Sequence, residues 1–308
     1  MGESQARIVA AFGAVYILWG STYLAIRFAV ETIPPFLMAG TRHLTAGLLL
    51  YAWMRARGSP RPSARHWGSA AIIGGFMLLG GNGLVTWAEQ RVASGLAALI
   101  VASVPIWMAV LAGIERRRRP SGFVIAGLAL GLSGIALLVA PGRFGGGGRV
   151  DPLGAAALLT AALSWSFGSL FARRAQLPSS TLTAVAMEMI AGGALLWAAG
   201  LAGGEGARLH LSAVTARSAV SLAYLVVCGS LLGFTAYVWL LKVTTPARVS
   251  TYAYVNPIVA VLLGTLFAGE RLTLRIGLAA LGIVAAVALI IRHGGGDAKQ
   301  AKKEELTA

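Results

Sequence analysis

Arg42, His43 and Glu188 stand inside long apolar runs of this sequence. Charge in a bilayer interior is costly, so such residues mark substrate, ion or proton paths by default. Arg42 supplies fixed positive charge, and Glu188 is a candidate proton-coupling carboxylate. His43 follows Arg42 directly and so points about 100° away around a helix, which suits a polar packing contact. Arg27 lies a few residues from the end of its run, where a long side chain snorkels to the headgroups.

Neutral polar and aromatic residues complete the candidate set. Asn82 sits between Gly81 and Gly83, and Asn256 precedes Pro257. Ser21 and Ser166 are short hydroxyls in similar surroundings. None of these can reach water by snorkelling, so each needs another helix or a cavity as partner, since an unsatisfied polar group in lipid costs several kcal/mol. Pro105 and Pro257 each interrupt an apolar run. A proline in a helix leaves the carbonyl four residues earlier without its partner, here Val101 and Ala253. Such carbonyls are tolerated at membrane depth where they meet protein or line a wet cavity. Trp87, at the end of its run, fits an interfacial anchor. Trp19, Trp107, Trp165 and Tyr254 lie deeper. They would wall a cavity, stacking on a side chain or holding an ammonium group by cation–π contact, unless they are packing bulk. Carbonyls, amides and aromatic walls match a substrate with an ammonium group, a carboxylate and a variable side chain.

The elements that must position these residues are transmembrane helices. The chain has 308 residues, of which 57% are hydrophobic and only 12% charged. A soluble domain would carry about 25% charged residues, so the composition implies an integral membrane protein. Ten apolar segments, each near the roughly 20 residues that cross a bilayer, fall at about 8–30, 36–54, 67–88, 92–113, 121–140, 152–172, 181–202, 218–241, 246–268 and 273–291. The first is too long for a signal-peptide core and is read as a retained helix. The net charge of +15 sits mostly in short loops, where it orients a membrane protein, so nucleic acid is not an expected partner. With the N-terminus in the cytoplasm, 17 Lys and Arg fall inside, seven outside, and two, Arg27 and Arg42, within helices. Both termini are therefore expected inside.

The chain also repeats itself. A shift of 146 residues places Trp19 on Trp165, Arg27 on Arg173, Arg42 on Glu188 and Gly47 on Gly193; a shift of 152 places Pro105 on Pro257. Five helices per half is an odd number, so the halves enter the membrane from opposite sides. Inverted repeats of this kind build secondary transporters, with the site at the repeat interface near the midplane. The expected organisation is an all-α integral membrane protein of ten helices. Residues 1–141 form the first repeat, 152–292 the second, inverted one, and 293–308 a polar cytoplasmic tail.

Several phrases together resemble a known family. They are Trp19-Gly20-Ser21-Thr22-Tyr23, Gly81-Asn82-Gly83 with Ala88-Glu89-Gln90, Val104-Pro105, Ser164 to Ser169, and Tyr252 to Pro257 closed by Gly269-Glu270. In order and spacing they are similar to the drug/metabolite transporter superfamily, and within it to the EamA-type ten-helix exporters, which include the aromatic amino acid exporter. The resemblance covers nearly the whole chain. It implies a bundle of two inverted repeats that exports amino acids or related metabolites across an inner membrane by alternating access.

Arg42 and Glu188 occupy equivalent repeat positions, which invites a salt bridge. Their depths argue against it. Arg42 lies roughly 9 Å below one boundary and Glu188 roughly 10 Å above the other. In a core about 30 Å thick, their Cα atoms stand about 10 Å apart along the normal. Other chemistries fit less well. Gly131-Leu132-Ser133-Gly134 spells the nucleophile phrase of an intramembrane protease, with His43 as the conceivable base. Gly127 and Gly131, however, make that helix a small-residue packing face. A sugar-phosphate or nucleotide-sugar carrier needs more fixed positive charge than Arg42 supplies. There is no P-loop phrase. Cys228 is the only cysteine and the four histidines are scattered, so neither a disulfide nor a metal centre is expected. The expected partners are a small-molecule substrate and the bilayer, without a cofactor, for a monomeric non-enzyme.

Overall fold

The computed structural model describes residues 3–115, 122–139, 151–244, 249, 251–286 and 288–289. Among these every regular element is helical. They form ten rods. α1 joins Glu3–Gly13, a π-helical turn Ala14–Leu18 and Trp19–Ala29. α2 is Pro35–Ala56, and α3 joins Ala64–Ile73, a π-helical stretch Gly74–Gly83 and Leu84–Ala88. α4 is broken into Ser94–Val101 and Val104–Glu115, and α5 is Gly122–Val139. α6 is Pro152–Ala172 and α7 is Thr181–Ala202. α8 joins Ala216–Tyr224, a π-helical stretch Leu225–Phe234 and Thr235–Val243. α9 is Tyr252–Ala268 and α10 is Leu274–Ala286. The polar tail 293–308 lies outside the described residues.

Local chemistry sets the ends of these rods. The first amides of a helix lack partners inside it. Asp151 accepts from Gly154 N at 2.6 Å before α6. Ser180 accepts from Thr183 N at 3.3 Å before α7, and Thr215 accepts from Ser218 N at 3.2 Å before α8. Pro35 and Pro152 occupy first-turn positions of their helices, where proline's missing N–H costs nothing. α9 stops at Gly269, whose φ of 66° is left-handed, a conformation that glycine adopts without penalty.

The rods carry large apolar side chains outward. Leu48 is 55% exposed, Leu266 72% and Leu281 68%. Water would penalise such a surface, whereas hydrocarbon accepts it. Five rods are long and apolar enough to cross a bilayer by length and composition: Gln5–Ala29, Ala64–Ala88, Pro152–Ala172, Thr181–Ala202 and Ala216–Val243.

The inter-helix contacts come in symmetric pairs. α1 packs on α8 and α9, and their repeat equivalents α6 packs on α3 and α4. The self-equivalent pairs α2–α7 and α4–α9 also touch. This is the pattern of two inverted five-helix repeats folded against each other. Glycine permits the closest approach. A Cβ on Gly74 of α3 would stand 2.6 Å from the Gly192 amide of α7, so only bare backbone fits there. Small residues are how membrane helices pack tightly without a hydrophobic drive between them.

Candidate functional site

A cavity of about 70 Å³ lies between the repeats. α1 contributes Trp19, Thr22, Tyr23 and Ile26; α2 contributes Arg42 and His43; α3 contributes Gly81, Asn82 and Val85. The rest of the lining is Val101 and Val104 of α4, Ala161 and Trp165 of α6, Gly229 and Phe234 of α8, and Tyr252 and Asn256 of α9. One wall is aromatic. Trp19 meets Trp165 edge-on at 5.6 Å, Tyr252 edge-on at 5.5 Å and Tyr237 at 4.8 Å between centroids. Both indoles are anchored: Trp19 Nε1 donates to Gly229 O at 3.1 Å, and Trp165 Nε1 to the Tyr237 hydroxyl at 3.3 Å.

Arg42 supplies the charge of this lining. It is 3% exposed. Its Nε donates to Ser230 Oγ at 2.8 Å and its Nη1 to Asn82 Oδ1 at 3.5 Å. Among the described residues no carboxylate lies within ion-pair distance of it. Its charge therefore meets only neutral oxygens, and guanidinium N–H groups remain for an anion. Gly229 makes room for it, because a Cβ there would stand 2.5 Å from Arg42 Nη2. His43 is buried and turned to Ser230, whose Oγ lies 3.4 Å from its Nδ1.

Trp19, Asn82, Trp165 and Asn256 thus share one cavity with Arg42 and His43. Ser21, Ser166 and Trp107 do not line it. Ser21 hydrogen-bonds its own helix at Leu18 O, 2.8 Å, and the Tyr224 hydroxyl, 2.6 Å. Ser166 turns to Ala162 O at 2.7 Å and Val104 O at 3.2 Å. Both serines are packing contacts, because a hydroxyl in a helix readily satisfies itself on the preceding turn. Trp107 is half-buried away from the cavity, and its Nε1 has no partner. The side chain of Tyr254 lies outside the described residues.

The prolines also differ from their symmetric reading. Pro105 opens the second half of α4 after a real break at Ala102–Ser103. Pro257 stands inside α9, which continues through it. Several carbonyls taken up by side chains of other helices lie in the π-helical stretches. There the change of hydrogen-bond register leaves oxygens over. Gly229 O in α8 receives Trp19. Phe76 O in α3 receives Ser164 Oγ at 2.7 Å. With its NH₂ turned as the network demands, Asn256 donates to Tyr16 O in α1 at 3.0 Å. The sequence carries no signal for a π register.

Glu188 is elsewhere. It is buried and faces a second space of about 400 Å³, lined also by Arg173, Pro178, Ser179, Leu241 and Lys242. That space lies toward the α6–α7 loop and the end of α8. Arg42 and Glu188 therefore serve different cavities, as their depths imply. The protease phrase dissolves in the same way: Ser133 Oγ donates to Leu130 O at 2.8 Å on its own helix, while His43 sits with Ser230.

Residue reading missed Ser230, Thr22 and Glu89, and left Tyr237 and Tyr252 outside the binding set. The tyrosines were visible as aromatics within spans. Glu89 follows a span directly and figures in the sequence only within the Ala88-Glu89-Gln90 phrase, yet it is fully buried, with both carboxyl oxygens unpartnered. Arg27 reaches the end of α3, where its Nη1 donates to the Glu89 carbonyl at 2.5 Å.

Comparisons with known proteins bear on the family and the fold. The signature described as the EamA-like transporter family matches residues 6–140 and again 152–292. The inner membrane transporter YedA of Escherichia coli (strain K12) is 41% identical over 286 residues, covering 91% of this chain and 89% of that protein. The transporter YvbV of Bacillus subtilis (strain 168) is 24% identical, covering 89% and 88%. The WAT1-related protein At3g02690, chloroplastic, of Arabidopsis thaliana is 26% identical, covering 83% and 62%. A solved crystal structure shares the fold, with a TM-score of 0.64 over 92% of this chain and 97% of that one at 19% identity.

Proposed function

Because the chain belongs to the EamA-like transporter family, we propose that it carries a small zwitterionic metabolite, an amino acid in the first instance, out across an inner membrane by alternating access. The observation that carries this reading is Arg42, buried against neutral oxygens and facing the same cavity as an aromatic wall. A substrate carboxylate would complete the guanidinium, since paired N–H donors suit a carboxylate. Trp19, Trp165 and Tyr252 would take an apolar or aromatic side chain and lend cation–π support to an ammonium group. A phosphate-bearing substrate would ask for more cation than a single guanidinium. The inner membrane location is taken from the relative YedA.

Alternating access fits the two spaces. The aromatic cavity runs toward the end of the bundle that carries residues 30–34, 89–93 and 203–215. The Glu188 space opens toward the opposite end. One water needs about 10–15 Å³ by this measure, so 70 Å³ admits a few waters and not a whole amino acid. The walls must part to load it. The excess of Arg and Lys at the Glu188 end makes that end cytoplasmic.

Uptake of a panel of labelled amino acids into proteoliposomes tests the proposal. We expect saturable uptake of at least one member, competed by the unlabelled compound and weakened in Arg42→Gln at matched protein content. Uptake of sugar phosphates with no amino acid in the panel moved would sink the reading.

A further inference from the structure

The end of the bundle above the aromatic cavity holds four buried or capping carboxylates, and three of them accept hydrogen bonds from helix N-termini. Glu205 accepts from Leu37 N at 2.9 Å and Phe36 N at 3.3 Å, capping α2. Glu270 accepts from Ser94 N at 2.7 Å, Ser94 Oγ at 2.6 Å and Gly95 N at 3.0 Å, capping α4. Asp151 caps α6 through Gly154 N. Glu89 is the exception. It is 0% exposed, and neither oxygen has a hydrogen-bond partner. An ionised carboxylate without donors is among the most expensive groups to bury, so this packing holds Glu89 as the neutral acid.

The surroundings are nevertheless ready for the anion. Arg27 and Tyr23 of α1, Arg42 of α2, and Glu270 beyond α9 all act electrostatically on the Glu89 carboxyl, the two arginines favouring its charge and Glu270 opposing it. Arg27 is half-buried and already tied to the Glu89 backbone carbonyl, so it reaches from the edge of the bundle to this residue. Arg91, beside Glu89 in sequence, is turned over the Trp87 ring at 4.7 Å. Tyr23 and Val85, about one turn deeper on the same helices, and Ile26, next to Arg27, line the cavity. A change in how α1 and α3 meet at Glu89 is thus a change at the cavity's mouth.

We propose that Glu89 is a proton-binding site that gates this end of the transport cavity. Protonated, it stays buried without partners at the end of α3, held to α1 by the Arg27 bond to its backbone carbonyl, and the end stays closed. On losing its proton to water it becomes a carboxylate that must find donors, and Arg27 is the cation placed to supply them. The side chain then swings to that guanidinium and competes with the Arg27 bond to the Glu89 carbonyl, which ties α1 to the end of α3. No redox partner is involved; the only species exchanged is the proton. This takes the aromatic cavity as the transport path but does not depend on which substrate uses it.

The test uses the purified full-length protein in lipid nanodiscs with the proton as the only ligand, so its failure would leave the amino-acid reading untouched. Dicyclohexylcarbodiimide modifies protonated carboxyls in apolar surroundings, and peptide mass spectrometry locates the adduct. We expect an adduct on Glu89 at acid pH that falls at least tenfold at alkaline pH. We also expect a pH-dependent change in tryptophan fluorescence from Trp19 and Trp165 that is absent in Glu89→Gln and present, at a displaced midpoint, in Glu89→Asp. No adduct on Glu89 at any pH, an adduct of constant yield across the range, or a Gln variant that titrates like the parent would each overturn the proposal. Should the Gln variant fail to fold, labelling of the parent protein decides the matter alone.

Discussion

Arg42 concentrates the chemistry of the cavity in one side chain. Its fork is held by Ser230 and Asn82 on two different helices, which fixes the direction of the N–H groups that remain. A hydrogen bond to a charged group contributes about 1.5–3 kcal/mol, or roughly ten- to a hundredfold in affinity. Arg42→Gln should therefore raise the half-saturating substrate concentration by about that factor in proteoliposomes, with folded yield maintained. Arg42→Lys should rescue little, because an ammonium group cannot hold Ser230 and Asn82 and present a planar fork at once. Gly229 is the silent partner. In Gly229→Ala the new methyl would stand 2.5 Å from Arg42 Nη2 and 2.9 Å from Thr22 Cγ2. Overpacking of this kind costs typically about 1–3 kcal/mol, so both transport and the thermal midpoint should drop, the latter measured by fluorescence-detected size exclusion after heating.

At the scale of elements, the devices that open backbone to the cavity are asymmetric between repeats. α4 is broken ahead of Pro105, whereas α9 runs straight through Pro257. Restoring an amide at 105 would let residue 105 bond the Val101 carbonyl and continue the helix across the break. Pro105→Ala is thus expected to cut transport severely while leaving folded yield unchanged or higher. Pro257→Ala, in a helix already continuous, should cost far less. Equal losses in the two variants, measured side by side as initial uptake rates, would contradict the asymmetry. The π-helical stretches of α3 and α8, by contrast, occupy equivalent places in the two repeats, Gly74–Gly83 and Leu225–Phe234, and both contribute to the lining.

At the scale of the whole molecule, two inverted repeats meet along α2–α7 and α4–α9, with α1 and α6 each filling the other repeat. The close seam at Gly74 and Gly192 holds α3 against α7. Gly192→Val should fail to assemble or melt early, because even a Cβ there would meet Leu78 Cβ at 2.7 Å. Its folded yield by size exclusion would report this directly. Ten spans, an even number, would bring both termini to one face of the membrane. Reporter fusions at the C-terminus should be fluorescent in the cytoplasmic format and inactive as a periplasmic phosphatase; the reverse pattern would invert the orientation read from the basic loops.

The class, the ten spans and the internal repeat are legible in the linear sequence, because each rests on local quantities. Twenty apolar residues span a bilayer wherever they occur, and an odd number of them per repeat inverts the second copy. The residues able to do chemistry were also legible, since charge and amides stand out against an apolar run. Which of them share a cavity was not. In a soluble helix the polar stripe shows which face turns inward. In lipid both faces are apolar, so rotation about the helix axis leaves little trace in composition. Tertiary packing, not type, separates Trp19 and Asn82, which face the cavity, from Ser21 and Ser166, which bond to backbone. The π-helical stretches of α3 and α8 pack on helices of the opposite repeat, far away in sequence. Glu89 shows the limit most plainly: one residue beyond a span, it figures in the sequence only within the Ala88-Glu89-Gln90 phrase, and only the folding of α1 and the end of α9 around it makes it a buried acid.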